Sequence, residues 1–63
     1  MRLNADSARE LELLPGVGEV RARAIVESRE EAGPFEKLED VERVRGVGPA
    51  TRRGLAAWVD DVE

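Results

Sequence analysis

Leu14-Pro15-Gly16-Val17-Gly18 returns thirty residues later as Val44-Arg45-Gly46-Val47-Gly48, and this repetition decides the reading of the whole chain. The register holds outside the glycines: Leu11 matches Val41, Glu12 matches Glu42, Arg23 matches Arg53 and Ile25 matches Leu55. Self-similarity at a fixed offset, carried by glycine and apolar positions together, marks a duplicated structural unit. In each copy a short apolar-edged run stops at a glycine turn, and a second run with helical spacing begins at once. Each copy therefore reads as helix, tight hairpin, helix.

Ahead of the first hairpin, Ser7-Ala8-Arg9-Glu10 has the form of a capping box, with Ser7 as N-cap and Glu10 reaching back. Leu11 and Leu14 give that short helix its apolar edge, and Pro15-Gly16 stops it. A second helix opens at about Gly18 and carries Ala22, Ile25, Val26 and Arg29 at helical spacing. It ends before Gly33-Pro34, where glycine suits the left-handed C-terminal position and proline cannot continue the helix. Phe35 is expected beside the start of a third helix running from Leu38 through Val41 to Val44. Lys37 stands where a second Ser N-cap would match Ser7, a loss of about 1 kcal/mol. Pro49 fits the first turn of a fourth helix, where its missing N–H costs nothing. That helix continues through Leu55 to Trp58 or Val59.

The expected fold class is all-α, a tandem helix-hairpin-helix arrangement of four to five short helices with pseudo-two-fold symmetry. It forms one domain over residues 1–63, with the first motif at 7–31 and the second at 37–59. Each helix pair has a single apolar face, so the pairs must pack together. That packing is expected to bury Leu11, Leu14, Val17, Ile25, Val26, Phe35, Leu38, Val41, Val44, Val47 and Leu55. No stretch alternates as a strand would.

Composition narrows the chemistry. At 63 residues the chain is small, and below ~70–80 residues one core rarely supplies more than ~3–5 kcal/mol, too little to support a buried catalytic cavity. Cysteine and histidine are both absent, which removes disulfides, the usual zinc ligand sets and every nucleophile or base built on those residues. No acidic run has calcium-loop spacing. No catalytic residue, metal or cofactor is expected, and an enzyme is the reading set aside. The N-terminus lacks the apolar stretch of a signal peptide. As given the chain reads as cytoplasmic, or as extracytoplasmic if excised from a longer anchored or secreted protein. Nine arginines and one lysine face fourteen carboxylates, a net charge of −4. This counts against nucleic acid as a partner, yet the local field decides whether a phosphate is held.

Glycine is required where the backbone takes positive φ or where a ligand must approach it closely. In Gly16-Val17-Gly18 the valine can point inward while the flanking amides face out, and the following helix adds free N–H groups and its positive dipole end. This is an anion site that reads no base identity. A second at Gly46-Val47-Gly48 would hold two phosphates of one backbone together. The plainer alternative is that the glycines only let two helices turn tightly. A lone Gly-x-Gly favours that alternative, whereas a duplicated one followed each time by a helix favours the anion site.

The run Leu3-Asn4-Ala5-Asp6-Ser7-Ala8-Arg9-Glu10-Leu11, then Leu14 to Gly18, Gly33-Pro34-Phe35, Leu38-Glu39-Asp40-Val41 and Gly46-Val47-Gly48-Pro49 resembles the helix-hairpin-helix domain of the ComEA-like bacterial competence proteins. The resemblance covers nearly the whole chain. It implies sequence-independent binding of double-stranded DNA through the hairpins, and in competence the capture of external DNA. Carried over, the backbone contacts fall on Gly16, Val17, Gly18, Gly46, Val47 and Gly48. Arg21 and Thr51 follow three positions after each last glycine, Arg52 and Arg53 come next, and Arg45 lies within the second hairpin. Members that bind DNA well often carry lysine two residues after the last glycine, where this chain has Val20 and Ala50. Glu19 places a carboxylate beside the first hairpin's amides, so the second hairpin is expected to bind better.

The remaining features have mainly structural readings. The acidic groups at 27–31, 36–42 and 60–63 are expected to form a solvated face, or to repel DNA from the wrong side. Gly54 aligns with Ala24 and is expected to allow close helix–helix approach. Arg9, Arg23, Arg29 and Arg43 are expected in surface ion pairs. Trp58 is expected in the core; exposed beside Val59 and Val62, it would mark a protein interface. A protein-interaction scaffold with little DNA affinity is the alternative function, and the net acidity fits it.

Overall fold

Ser7 opens the first helix as the sequence predicts. Its Oγ accepts from the Glu10 amide at 3.2 Å while the Glu10 carboxylate accepts from the Ser7 amide at 3.0 Å, a reciprocal pairing that satisfies two otherwise free donors. The computed structural model describes residues 1–63 throughout. Their order is α1 (Ala8–Leu11), α2 (Gly18–Ala32), a 3₁₀ segment (Leu38–Arg43), α3 (Pro49–Leu55) and a closing 3₁₀ turn (Ala56–Trp58). The chain is all-α, with no strand, and none of its helices is long and apolar enough to cross a membrane.

The third helix differs from expectation in its winding. Asp40, thirty residues after Glu10, repeats the return half of the capping box: its Oδ2 accepts from the amides of Lys37 at 3.1 Å and Glu36 at 3.0 Å. The ammonium of Lys37 has no lone pair with which to supply the forward half, and the segment winds as 3₁₀. The amides of Lys37 and Glu36 hold the Asp40 carboxyl below the usual aspartate range, aided by the nearby charges of Lys37 and Arg43. The fourth helix starts at Pro49 as expected but tightens to 3₁₀ at Ala56.

One cluster of twelve buried residues holds these elements together, and nine of the expected core positions are in it. Val26 and Leu38 are only half-buried, whereas Leu3, Ala22 and Val62 complete the core. Trp58, expected inside, is 53% exposed. Leu3 and Val62 fill the core at the chain ends instead, because the Asp61 carboxylate accepts from the amides of Leu3 at 3.0 Å and Asn4 at 2.9 Å and folds the tail inward. The acidic tail is therefore not merely a solvated face. Asp60 likewise pairs with the N-terminal ammonium at 3.0 Å.

The arginines also depart from expectation. Only Arg23 makes a predicted surface pair, with Glu19 at 2.9 Å, and Arg9 makes none. Arg29 donates to the Leu3 carbonyl at 2.8 Å. Arg43 donates to Ser28 Oγ at 2.8 Å and to the Gly33 carbonyl, with its guanidinium 4.3 Å from the centre of the Phe35 ring. It thus closes the end of α2, where Gly33 turns at φ +89°. Asn4 ties the two segments that lead into the motifs, donating to the Phe35 carbonyl at 2.9 Å and accepting from the Phe35 amide at 2.8 Å. Gly54 faces open space, with nothing within 4 Å of where a Cβ would sit; nothing in the structure requires glycine there.

Candidate nucleic-acid interface

Each hairpin is shaped by its valine. The Val17 amide donates to the Leu14 carbonyl at 3.1 Å and the Val47 amide to the Val44 carbonyl at 3.0 Å. Both valine side chains are buried, so neither can touch a ligand except through its backbone. With the valines drawn inward, Gly16 and Gly46 complete the turns at φ +75° and +87°, a region that costs a side-chain-bearing residue roughly 1–2 kcal/mol. The next glycines differ: Gly18 is also left-handed at φ +68°, whereas Gly48 is extended at φ −108° ahead of Pro49.

The amides of Gly16, Gly18, Glu19 and Val20 donate to no group of the protein, and neither do those of Gly46, Gly48, Ala50 and Thr51. Unpaired donors gathered at a turn and a helix start are the arrangement that accepts a phosphate oxygen. Pro49 interrupts the second set because it has no N–H.

The two hairpins brace each other. Arg21, on the first turn of α2, donates from Nε to the Gly46 carbonyl at 2.7 Å. Thr51, its counterpart on α3, packs against Gly16, with its Cγ2 3.5 Å from where a Cβ on that glycine would lie. The side chain three positions after each last glycine thus reaches the opposite hairpin, which sets both hairpins side by side. Spacing alone did not reveal this exchange. The only sequence signal for it is that the thirty-residue offset carries the pair 21 and 46 onto the pair 51 and 16.

The other expected site residues divide. Arg45 and Arg53 are exposed and make no ion pair. Arg52 is half-buried, with Nε 2.5 Å from Glu42 Oε2, so its charge is already matched within the protein. Glu19 is paired with Arg23, which offsets part of the carboxylate beside the first hairpin. Between α2 and the second hairpin runs an open groove of about 1040 Å³, its walls including Arg21, Arg23, Arg43 and Arg45 together with Glu27 and Glu31. No cluster of three or more acidic side chains is placed to hold a metal ion.

Two glycine hairpins, each between short helices and packed reciprocally, define a helix-hairpin-helix protein. The helix-hairpin-helix motif family matches residues 2–60, and the chain belongs to it. Among its relatives, human endonuclease/exonuclease/phosphatase family domain-containing protein 1 is 55% identical over 49 residues, covering 75% of this chain and 9% of that protein. The mouse kinesin-like protein KIF22 is 49% identical over 45 residues, 71% of this chain and 7% of that protein. ComE operon protein 1 of Bacillus subtilis (strain 168) is 40% identical over 48 residues, 76% of this chain and 23% of that protein. The chain thus spans less than a quarter of each of these relatives' length.

Proposed function

We propose that this chain is a sequence-independent binding module for the backbone of double-stranded DNA. The observation that carries the reading is the side-by-side pairing of two hairpins whose glycine amides donate to no group of the protein. Gly16, Val17 and Gly18 offer one backbone cradle, and Gly46, Val47 and Gly48 the other. Arg45 and Arg53 add charge that no carboxylate neutralises, while Arg52 stays with Glu42. Contacts to phosphate alone position a protein on DNA without reading sequence. With so few of them, affinity falls in the non-specific range of ~10⁻⁴–10⁻⁶ M at physiological salt. The likeness to ComE operon protein 1 is the ground for a role in DNA uptake.

Fluorescence anisotropy with labelled duplex DNA at two salt concentrations tests this. Two variants accompany the native chain: Gly46→Ala with Gly48→Ala, and Arg45→Gln with Arg53→Gln. Salt-dependent binding that both variants weaken while keeping their helical content supports the module. Absence of binding at low salt rejects it, as does binding that is insensitive to salt.

A protein-interaction scaffold is the second reading, favoured by Trp58 at 53% exposed and Leu13 at 72%. The offset that relates the motifs carries Arg43 and Ser28, which touch at 2.8 Å, onto Leu13 and Trp58. The two exposed apolar side chains thus occupy the positions that correspond to a polar contact in the other motif. Val59 is half-buried and Val62 buried, so such a surface centres on Trp58 and Leu13 instead. A Trp58 emission spectrum unchanged by any partner that retains the protein excludes this use of the surface.

A further inference from the structure

We infer that Arg21 is a positioning residue that sets the second hairpin in its phosphate-binding geometry from across the repeat, an inference resting on the DNA-backbone reading above. The Gly46–Val47 peptide is tied at both ends. Its carbonyl accepts from Arg21 Nε at 2.7 Å, and its N–H donates to the Val44 carbonyl at 3.0 Å. A peptide unit is planar, so fixing both ends fixes the plane, and with it the directions of the flanking glycine amides.

The first hairpin lacks the equivalent restraint. Val17 donates to Leu14 in the same way, but no donor reaches the Gly16 carbonyl, because the matching residue, Thr51, meets Gly16 only in van der Waals contact. One hairpin peptide is therefore held at both ends and the other at its N–H end alone. A prearranged site loses less freedom on binding, so it binds more tightly for the same contacts. The second hairpin thereby becomes the first to engage a backbone, with a side chain from the first motif as the cause. Gly46 allows this approach: a Cβ there would lie 3.0 Å from Arg21 Nε.

The test compares Arg21→Gln with Arg21→Met. Both variants are neutral and similar in length, and glutamine places an amide nitrogen the same number of bonds from the backbone as arginine Nε. They differ in that glutamine keeps an N–H at that distance and methionine has none. Duplex-DNA titrations across a salt series give affinity and salt slope, and backbone amide resonances of the free proteins report hairpin geometry. Positioning predicts that Arg21→Gln stays near native affinity while Arg21→Met binds about tenfold more weakly. The salt slope is then unchanged in both, and the Gly46 and Gly48 resonances shift only in Arg21→Met, with Gly16 and Gly18 unmoved. If the two variants weaken equally and the slope falls by about 0.9 in each, Arg21 is a direct phosphate contact and the inference is overturned. Shifts spread over both hairpins, with lost thermal stability, also overturn it, because they reveal a general packing role. A native protein that binds no duplex at low salt rejects the DNA reading itself, before any variant is compared.

Discussion

The two hairpins follow one path and present different chemistry. The first has proline ahead of its glycines, two left-handed glycines, a free carbonyl and a carboxylate at Glu19, and it opens a helix of fifteen residues. The second has Arg45 in the proline's place, one left-handed glycine and a carbonyl held by Arg21, and it opens a helix of seven. Duplication has kept what the core needs, the inward valine and the turn, and left the exposed positions to diverge. The hairpin that opens the shorter helix is the one restrained at both ends of its peptide. The charge of Arg45 within it and the restraint that Arg21 supplies from outside are what set it apart.

The sharpest way to break this comparison is to put alanine at each turn glycine in separate proteins. Gly46→Ala meets both an unfavourable φ and Arg21 at 3.0 Å, so DNA affinity in anisotropy titrations should fall about tenfold or more. Gly16→Ala meets a similar φ but ordinary contact with Thr51 at 3.5 Å; its affinity loss should be smaller. Equal losses would mean that the hairpins contribute alike.

A gain at the first hairpin tests the same contrast from the other side. Glu19→Gln with Val20→Lys removes the competing charge and adds a cation at an exposed position. Affinity should rise about two- to fivefold from the lost repulsion alone, and the added phosphate contact should steepen the salt slope by about 0.9. No change would mean that the first hairpin never meets the backbone.

Smaller effects separate the helices rather than the turns. Gly54 lies inside α3 with open space around it and no positive φ, so Gly54→Ala should stabilise by about 1 kcal/mol. Thermal unfolding should register this as a higher Tm, without altered DNA affinity if α3 only supports its hairpin. Smallest is the acid response of the Asp40 cap. Asp40 is depressed by its amide bonds, so its stabilising contribution is present above the unfolded aspartate pKa and disappears as pH falls through the lower folded value. A carboxyl titration by NMR should find Asp40 below the ordinary aspartate range, and Asp40→Asn should flatten stability in that acid window.

What could be read in advance followed from periodicity and turn chemistry. The all-α repeat, the Ser7–Glu10 cap, the span of α2 from Gly18 and the proline start of α3 all depend on neighbours a few residues apart. The structure departs from expectation where distant groups decide. Trp58 lies outside the core, whereas Leu3 and Val62 enter it beside a carboxylate clamp between the chain ends. Arg29 and Arg43, read as surface ion pairs, bind backbone carbonyls on other segments. In the candidate site Gly16, Gly18 and Gly46 are legible because their left-handed turns favour glycine. The partners of Arg21 and Arg52 are not, since an arginine's reach gives no preference among carboxylates, carbonyls and phosphates until the fold brings one close.

The crossed bracing of the hairpins bears on how the molecule opens. Arg21 and Gly46 are separated by 25 residues, and Thr51 reaches back to Gly16 over a still longer loop. Neither turn acquires its outer wall until both motifs have formed, so fraying one should loosen the other. Hydrogen exchange should then show the amides that close the two turns, Val17 and Val47, released in the same event.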